Sequence, residues 1–389
     1  MEFSFTREQE AFRQEVRAFL KKEIPAGWLG RHFIWMTEDE WRTARLFDRR
    51  LGAKNWLAMA WPKKDGGQDR SHIEQLIFNE EMGYHHAPNG GGWAHGPVFV
   101  GPTIIHYGSE EQKARYLPPI ARGEIIWCQS FSEPNAGSDL AALETKAVKD
   151  GDDYILTGEK HFVGQGQRAD WTILLARTDP SAPKHKGVSL FIMDMHAPGV
   201  SVQLQPTLPR YGAQSRIIMD NVRVPKTNLV GQENNGFYQA MTALDYERNR
   251  IMYAAECHRT VDDLWAYCRE NGLLKNQVLH NKLAERKIEA KVAILLNYRI
   301  AWMQNAGLVA NYEASIAKMY TEEFRQRVSR TGIEALGFYG QLGIGSKYAP
   351  FGGNIEDYFL AMVSSTMVGG TSEIQRNIVA TRGLGLPRG

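Results

Sequence analysis

Cysteine is scarce in this chain, and the few that occur argue against two classes of site. Cys128, Cys257 and Cys268 are an odd number without CxxC spacing, so they fit neither a disulfide framework nor a thiolate metal centre. The adjacent His85 and His86 would point in different directions on a helix, and the other histidines are scattered. We therefore predict no metal site.

Long apolar runs and an excess of one charge are also missing. No apolar stretch approaches the ~20 residues of a membrane-spanning helix, and the opening MEFSFTRE lacks the basic-then-apolar order of a secretion signal. Forty-six basic residues are balanced by 44 acidic ones, which leaves no basic field for nucleic acid. We expect a cytoplasmic protein without membrane or nucleic-acid partners.

The apolar residues that are present have helical spacing at the start of the chain. Phe12, Val16 and Phe19 share one helix face, and Pro25 ends the pattern. Further helices are expected over 38–52, 71–83, 97–107 and 109–121. Since 389 residues exceed one ordinary core, more than one subdomain is expected.

The spacing of apolar residues changes from helical to strand-like in the middle of the chain and becomes helical again later. Runs rich in β-branched and aromatic residues predict strands at 154–156, 171–175, 188–193, 200–204 and 217–224. Beyond Gly236 two apolar stripes with helical spacing appear. They consist of Leu283, Ile288, Val292 and Leu295, and of Ile316, Met319, Phe324 and Val328. Helices, strands and helices without alternation predict an α+β chain with domains at 1–125, 126–236 and 237–389.

The segment WCQSFSEPNAGSDL, at 127–140, lies where the first helical region meets the strands. A loop broken by glycine and proline brings backbone N–H groups and serine hydroxyls close to the edge of a polar planar ring. An ordinary surface turn explains the proline and glycine equally well. These residues alone therefore leave both interpretations open.

Residues 132–140 resemble the SEP-x-AGSDL signature of acyl-CoA dehydrogenases. Three later segments resemble the same family in the same order: GEKHFV at 158–163, DNVRVP at 220–225 and GTSEIQRN at 370–377. The resemblance covers nearly the whole chain. It implies an N-terminal helical domain, a middle β-barrel-like domain and a C-terminal four-helix bundle. It also implies an FAD-dependent enzyme that converts an acyl-CoA to the trans-2-enoyl-CoA.

The resemblance assigns several residues to the cofactor and the CoA arm. Ser132 is expected to hydrogen-bond the flavin edge, and the backbone of Ser130 and Phe131 to contact the ring. Ser138 is expected to meet the CoA arm beside the cofactor. Thr371 falls where the family's C-terminal loop holds FAD.

Three further positions are expected to contact the cofactor. Phe162 can pack on the ring, whereas Gly164 lacks the usual hydroxyl and offers only its N–H toward flavin N5. Glu373 lies on the FAD-holding loop.

The reaction needs a carboxylate over the substrate Cα, on the face opposite the flavin. Many family members carry it immediately before the Gly-Thr pair, where this chain has Gly369. The segment DYER at 245–248 resembles members that carry the base on a helix, so Glu247 is the predicted base. An exposed helix carboxylate paired with Arg248 or Arg250 is the alternative.

The same segment is expected to contact substrate. Arg248 resembles a CoA-contacting residue, with Asp245 a second candidate. Because Gly369 lacks a side chain, we expect room for a bulky or branched acyl group. The chain's ending resembles a bacterial subgroup that acts on sterol side chains and other large acyl groups.

The family's FAD site is often completed by a neighbouring subunit. Arg269, Gln277 and Gly337 are the candidate residues, although the loop around Gly337 reads EALGF and lacks part of the family pattern. A homotetramer and a heterotetramer with a related subunit both remain open. An electron-transfer flavoprotein is the expected electron acceptor.

Two other functions fit the same fold. One is a flavin oxidase or desulfinase, and the other is a non-catalytic subunit that completes a partner's flavin site. Retention of a carboxylate at Glu247 argues against a silent subunit.

Overall fold

The computed structural model describes residues 4–30, 36–89, 95–209, 213–247 and 249–387, with the backbone alone at 213 and 242–247. Its first region contains the helices α1 (Arg7–Glu23), α2 (Glu38–Ala53), α3 (His72–Tyr84), α4 (Gly101–Tyr107) and α5 (Glu110–Ala121). Helices α1, α2, α3 and α5 each begin with a capping box, which stabilises a helix start by about 1 kcal/mol. The helices predicted from apolar spacing are therefore confirmed.

Eight strands follow in one sheet within the described residues. They are β1 (Trp127–Ser130), β2 (Lys146–Asp150), β3 (Asp153–Val163), β4 (Trp171–Arg177), β5 (Val188–Asp194), β6 (Val200–Pro206), β7 (Ala213–Pro225) and β8 (Leu229–Val230). The strand order is β6-β7-β3-β2-β4-β5-β8, and β1 pairs in parallel with β4. Every predicted strand is present. The prediction missed β1, β2 and β8, which are short and carry little periodicity.

Strands β4 and β5 are buried on both faces, and successive side chains along each strand point to opposite sides of the sheet. Ile173 and Leu175 of β4 join a core with the helices of the first region. Leu174 and Ala176, between and after them, join a second core with β3 and β7. The sheet is thus a layer between two cores.

The chain then returns to helices. These are α6 (Gly236–Glu247), α7 (Ile251–Glu270), α8 (Gln277–Asn305), α9 (Tyr312–Leu336), α10 (Asn354–Met362) and α11 (Ser372–Ile378). Short connections make α7, α8 and α9 antiparallel neighbours, and all three pack on one another. The predicted α+β fold with helical, β and helical regions is confirmed.

One predicted apolar stripe is not the core face of its helix. On α8 Leu283 is buried, but Ile288, Val292 and Leu295 are 66%, 37% and 45% exposed. The face that packs inside the chain instead combines Ile294 with the small residues Ala290, Ala293 and Ala301. Apolar periodicity therefore predicted the helix correctly, but it did not show whether the apolar face packs inside the chain or stays exposed. The second stripe, on α9, contributes Phe324 and Val328 to the core as predicted.

Helix α6 connects the sheet to the C-terminal helices. It packs against β5, α4 and the π-helical turn Gly96–Val100. Its Ala240 lies in the same core as Phe131, which follows β1. The loop after β1 and the helix that ends at Glu247 therefore share one rigid support. Among the described residues, no helix combines the length and apolar character needed to cross a membrane.

Candidate active site

The loop after β1 is held in place by buried side chains. Ser130 is fully buried, and its hydroxyl lies 2.6 Å from that of Thr172 on β4. Phe131 packs edge-on against Phe99, with ring centroids 5.7 Å apart. The Ser130 and Phe131 side chains therefore belong to the core, and only their backbone can serve a ligand. The backbone role expected for them stays a prediction.

A buried ion pair fixes the next part of this loop. The Lys160 ammonium is completely buried and donates to Glu133 Oε1 at 2.7 Å and to the Phe131 carbonyl at 3.3 Å. The Glu133 carboxylate also accepts backbone N–H bonds from Glu144 and Thr145. Burial lowers the pKa of Lys160 to about 8 against the opposing effect of Glu133. Burial would raise the pKa of Glu133, but the Lys160 charge and these hydrogen bonds lower it.

The end of β3 lies directly beside this loop. The His161 N–H donates to the Ser132 carbonyl at 2.8 Å, which brings Ser132 next to Phe162. Phe162 has φ +56° and is 63% exposed. An aromatic residue held in this strained region of the backbone and left uncovered is typical of a functional site. Gly164 follows in the turn, so the structure brings three of the predicted flavin contacts together.

The turn after β3 also carries unsatisfied polar atoms. Gln165 is 1% exposed, and neither atom of its side-chain amide has a hydrogen-bond partner among the described residues. A buried amide without partners costs about 1–3 kcal/mol. The turn is therefore incomplete without a polar partner. Exposed Phe162, half-buried Ser132 and this turn together fit a planar ring with a polar edge, as FAD has.

The end of α6 meets the C-terminal loop. A Cβ built on Gly369 would lie 2.8 Å from Nη2 of Arg250, three residues beyond Glu247. The guanidinium thus occupies space toward which a side chain at position 369 would point. The expectation that the missing side chain leaves room for substrate therefore stays a prediction. Gly369 itself has φ +64°, a conformation that favours glycine.

Two side chains hold the turn that contains Gly369. The buried Lys318 ammonium donates to the Gly370 carbonyl at 2.7 Å. Gln375 Nε2 lies 3.4 Å and 3.3 Å from the Gly369 and Gly370 carbonyl oxygens. Burial lowers the pKa of Lys318 to about 8, and the nearby Arg250 charge adds to this effect.

The remaining residues of the C-terminal loop begin α11. The Thr371 hydroxyl accepts the Ile374 N–H at 3.2 Å and so caps the helix. Glu373 is exposed in the first turn, where hydrogen bonds from its own backbone N–H and the Thr371 side chain lower its pKa. Ser138 is exposed in the bend after the first loop. No hydrogen bond joins these three to Ser132, Phe162 or Gly164 among the described residues, so their predicted roles stay predictions.

The proposed base and its neighbours are described only in part. Glu247 and Asp245 lie in the last turn of α6, where the backbone alone is described. Arg248 lies outside the described residues. Their predicted roles therefore rest on position in the chain.

Three predicted cofactor residues lie at the opposite end of the C-terminal helices. Arg269 is near the end of α7, Gln277 begins α8 and Gly337 follows α9. The Lys282–Glu334 ion pair at 2.6 Å joins the same ends of α8 and α9. Helix α7 has 20 residues, so this end is about 30 Å from the α6–α7 break. All three are exposed, and within one chain they do not meet the site at Gly369.

Sequence reasoning gave no role to Asn297 or Lys318, and it named Arg250 only as an ion-pair partner of Glu247 in the alternative interpretation. The signal available for Asn297 and Lys318 was a polar residue among core positions of a helix, since Asn297 and Lys318 are 0% and 1% exposed. Among the described residues, no group of three acidic, histidine or cysteine side chains is placed to hold a metal.

Comparison with known proteins agrees with this geometry. Residues 6–124, 128–222 and 234–384 match the N-terminal, middle and C-terminal domains of acyl-CoA dehydrogenases. The acyl-CoA dehydrogenase FadE26 of Mycobacterium tuberculosis is 34% identical over 100% of this chain and 99% of its own.

Solved structures of two complexes are similar over the full length of both chains. The Tcur3481-Tcur3483 steroid ACAD superposes with a TM-score of 0.91 at 34% identity. The ChsE4-ChsE5 complex from Mycobacterium tuberculosis superposes with a TM-score of 0.86, also at 34% identity. The chain thus belongs to the acyl-CoA dehydrogenase family, whose cofactor is FAD, and it is an oxidoreductase that dehydrogenates acyl-CoA thioesters.

Proposed function

We propose that this chain binds FAD and that Glu247 removes the α-proton of an acyl-CoA thioester, giving the trans-2-enoyl-CoA. The observation that supports this most directly is the approach of Arg250 to Gly369, 2.8 Å from the Cβ position. It places the residues just after Glu247 beside the position where many relatives carry the base. A carboxylate on the last turn of α6 would then take the place of the base that many relatives carry at the position of Gly369.

The position of Glu247 also suits a general base. It is the last residue of α6, where the negative end of the helix dipole disfavours an ionised carboxylate. Removal of a weakly acidic α-proton requires a base of raised proton affinity, and this position would act in that direction. Apolar substrate packed over the site would act in the same direction.

The loops after β1 and β3 would hold the cofactor. Ser132 and the Gly164 N–H would meet the polar edge of the ring, and Phe162, which is exposed, would pack on it. Thr371 and Glu373 would hold other parts of FAD. When bound, FAD supplies the acceptor for the hydride that leaves the substrate β-carbon.

The base assignment is tested by Glu247→Gln in the FAD-loaded protein as isolated with any obligate partner. Anaerobic addition of substrate should no longer bleach the flavin, because glutamine cannot accept the proton, while the FAD content stays unchanged. Glu23→Gln, at the last residue of α1, is a matched helix-end control and should bleach normally. Undiminished bleaching by the Glu247 variant would overturn the assignment.

We propose a bulky acyl group as substrate. Support comes from the similarity to a complex named as a steroid ACAD, since the Gly369 position adjoins Arg250 and gives no independent argument for size. A panel of octanoyl-CoA, an aromatic acyl-CoA and a steroid side-chain CoA should bleach the flavin fastest with the steroid thioester. Fastest bleaching by octanoyl-CoA would contradict this.

We propose that the chain functions as a tetramer, with a related subunit as the favoured partner. The exposed stripe of Ile288, Val292 and Leu295 on α8 is an apolar face that the chain itself leaves uncovered. Both similar structures are named as two-protein complexes. Arg269, Gln277 and Gly337, about 30 Å from the chain's own site, would complete a flavin site in another subunit.

The assembly is tested by measuring the native mass and FAD content of the chain expressed alone. A colourless chain that becomes yellow when a related subunit is co-expressed would support the heterotetramer. A yellow tetramer of this chain alone would contradict it. We further propose an electron-transfer flavoprotein as electron acceptor. Reduced flavin that is stable in air and is rapidly reoxidised by that protein would support this. We also propose a cytoplasmic location.

A further inference from the structure

The break between α6 and α7 is built around one buried amide. Helix α6 ends at Glu247 and α7 begins at Ile251. The backbone N–H of Arg250 donates to Oδ1 of Asn297 at 2.7 Å. This bond joins the break to the middle of α8, an element that runs on undisturbed for 29 residues.

Asn297 is held rigidly itself. Its side chain is completely buried, and its Nδ2 donates to the carbonyl of Ala293 one turn earlier at 2.8 Å. Both ends of the amide are therefore engaged, which fixes the direction of the oxygen that receives the Arg250 N–H. The neighbouring core positions Ala293 and Ile294 are apolar, so no other side chain among them offers an acceptor.

A buried asparagine in a helix needs such a reason. Asparagine has poor helix propensity, and a buried polar group is tolerated only when it is hydrogen-bonded. An apolar residue at position 297 would satisfy the helix and the core but would leave the Arg250 N–H without this acceptor. The amide thus serves the break rather than α8.

The side chain of Arg250 lies near a second element of the structure. The Arg250 guanidinium approaches Gly369, whose turn is held by Lys318 through the Gly370 carbonyl at 2.7 Å. Asn297 holds the backbone of Arg250, and the Gly369 turn borders its side chain. Arg250, three residues beyond Glu247, therefore contacts α8 through its backbone and lies beside the Gly369 turn through its side chain.

We propose that Asn297 is a positioning residue for the base: by holding the backbone at Arg250 it sets where α6 ends and so where the Glu247 carboxylate lies relative to the substrate α-carbon. This inference rests on the proposed role of Glu247. Misplacement of a reacting group by about 1 Å lowers a rate by about 100-fold. Asn297 acts through Glu247 and has no part in the proton transfer itself.

The test compares Asn297→Leu with Asn297→Asp in the FAD-loaded assembly. The leucine variant removes the acceptor, whereas aspartate keeps an oxygen at the same place. Ile300→Ala is the matched control, because Ile300 is 1% exposed on the same helix and truncation destabilises the core without touching the break. If the leucine variant does not fold, Asn297→Ala takes its place.

The readout is chosen to report on the base alone. A 3-thia analogue of the fastest-oxidised panel thioester has an acidic α-position but no hydride to release from sulfur. We expect Asn297→Leu to lower the rate at which the analogue's α-hydrogen exchanges with deuterium oxide by at least about tenfold. This is less than the rate loss that a misplacement of about 1 Å causes. The dissociation constant of the analogue should change little, and Asn297→Asp should recover most of the exchange rate.

A second measurement does not depend on catalysis. Amide hydrogen exchange of a peptide spanning residues 249–254 should accelerate in Asn297→Leu but not in Ile300→Ala. The proposal would be overturned if Asn297→Leu matched the Ile300→Ala control both in α-hydrogen exchange of the 3-thia analogue and in amide exchange of this peptide. Loss of activity in Glu247→Gln with an unaffected Asn297→Leu refutes only the positioning role, whereas an active Glu247→Gln refutes the assignment of the base.

Discussion

Replacing Lys160 with methionine tests how the loop after β1, the proposed flavin-binding loop, is held. The change removes the bonds to Glu133 and to the Phe131 carbonyl, at 2.7 Å and 3.3 Å, while keeping a side chain of similar length. Breaking a buried ion pair by removing one partner costs about 3–5 kcal/mol. Because Glu133 keeps two backbone N–H donors, we expect the lower end of that range, about 3 kcal/mol.

This loss can be converted into a melting temperature. An unfolding entropy of ~2.1 cal/mol/K per residue over 389 residues amounts to ~0.8 kcal/mol/K. A loss of about 3 kcal/mol then lowers Tm by about 4 °C if the chain unfolds as one unit. Differential scanning calorimetry measures this shift, and flavin absorbance of the same samples measures FAD retention, which should also fall.

The pH dependence of the variant follows from the carboxylate that stays behind. Without Lys160, burial raises the proton affinity of Glu133 above its value in the unfolded chain. The folded variant then binds the extra proton, so its deficit grows as pH rises above about 4.5 and shrinks below it.

Two further variants separate the ion pair from general damage. The double variant Lys160→Met/Glu133→Gln should be more stable than Lys160→Met, since no unpaired charge remains buried. Lys113→Met breaks an exposed pair with Glu110 and should change stability by less than about 1 kcal/mol. A Lys160 variant as stable as the Lys113 variant, or a double variant no better than the single one, would refute the reasoning.

Two other predictions follow from the same structure. Burial would raise the pKa of Glu81, but hydrogen bonds and charge from its histidine and arginine neighbours lower it from 4.5 to about 2. Its contribution of ~3 kcal/mol is complete above about pH 4.5 and lost as pH falls toward 2, so Glu81→Gln should flatten the acid limb of a urea-unfolding series. Gly369→Ala should cost about 1 kcal/mol at φ +64° and also slow flavin bleaching, because its Cβ meets Arg250. Gly385→Ala, at φ +68° with nothing within 4 Å of its Cβ, should lose stability through the backbone alone and bleach at the normal rate. Equal bleaching rates in the two alanine variants would contradict the inference that a side chain at position 369 disturbs Arg250.

The sequence alone determined the order of the elements and the family. Apolar spacing and capping residues are local signals, because a helix start such as Ser71 with Glu74 is decided by bonds within one turn. The motifs around Ser132 and Thr371 identified the family for the same reason, since each motif is a short continuous segment. Strands β1 and β8 were missed because four or two residues carry too little pattern.

Only the tertiary structure decided which faces and charges meet. The α8 stripe at Ile288 has the same periodicity whether it faces the chain's own core or another subunit, and its 66% exposure shows that the chain leaves it open. The partners Lys160 and Glu133 are 27 residues apart, and Arg250 and Gly369 are farther apart still. Such contacts depend on how distant elements pack, which spacing along the chain does not encode. The vacancy at Gly369 was visible in the sequence, but the guanidinium beside it and the amide of Asn297 behind it were decided by the fold.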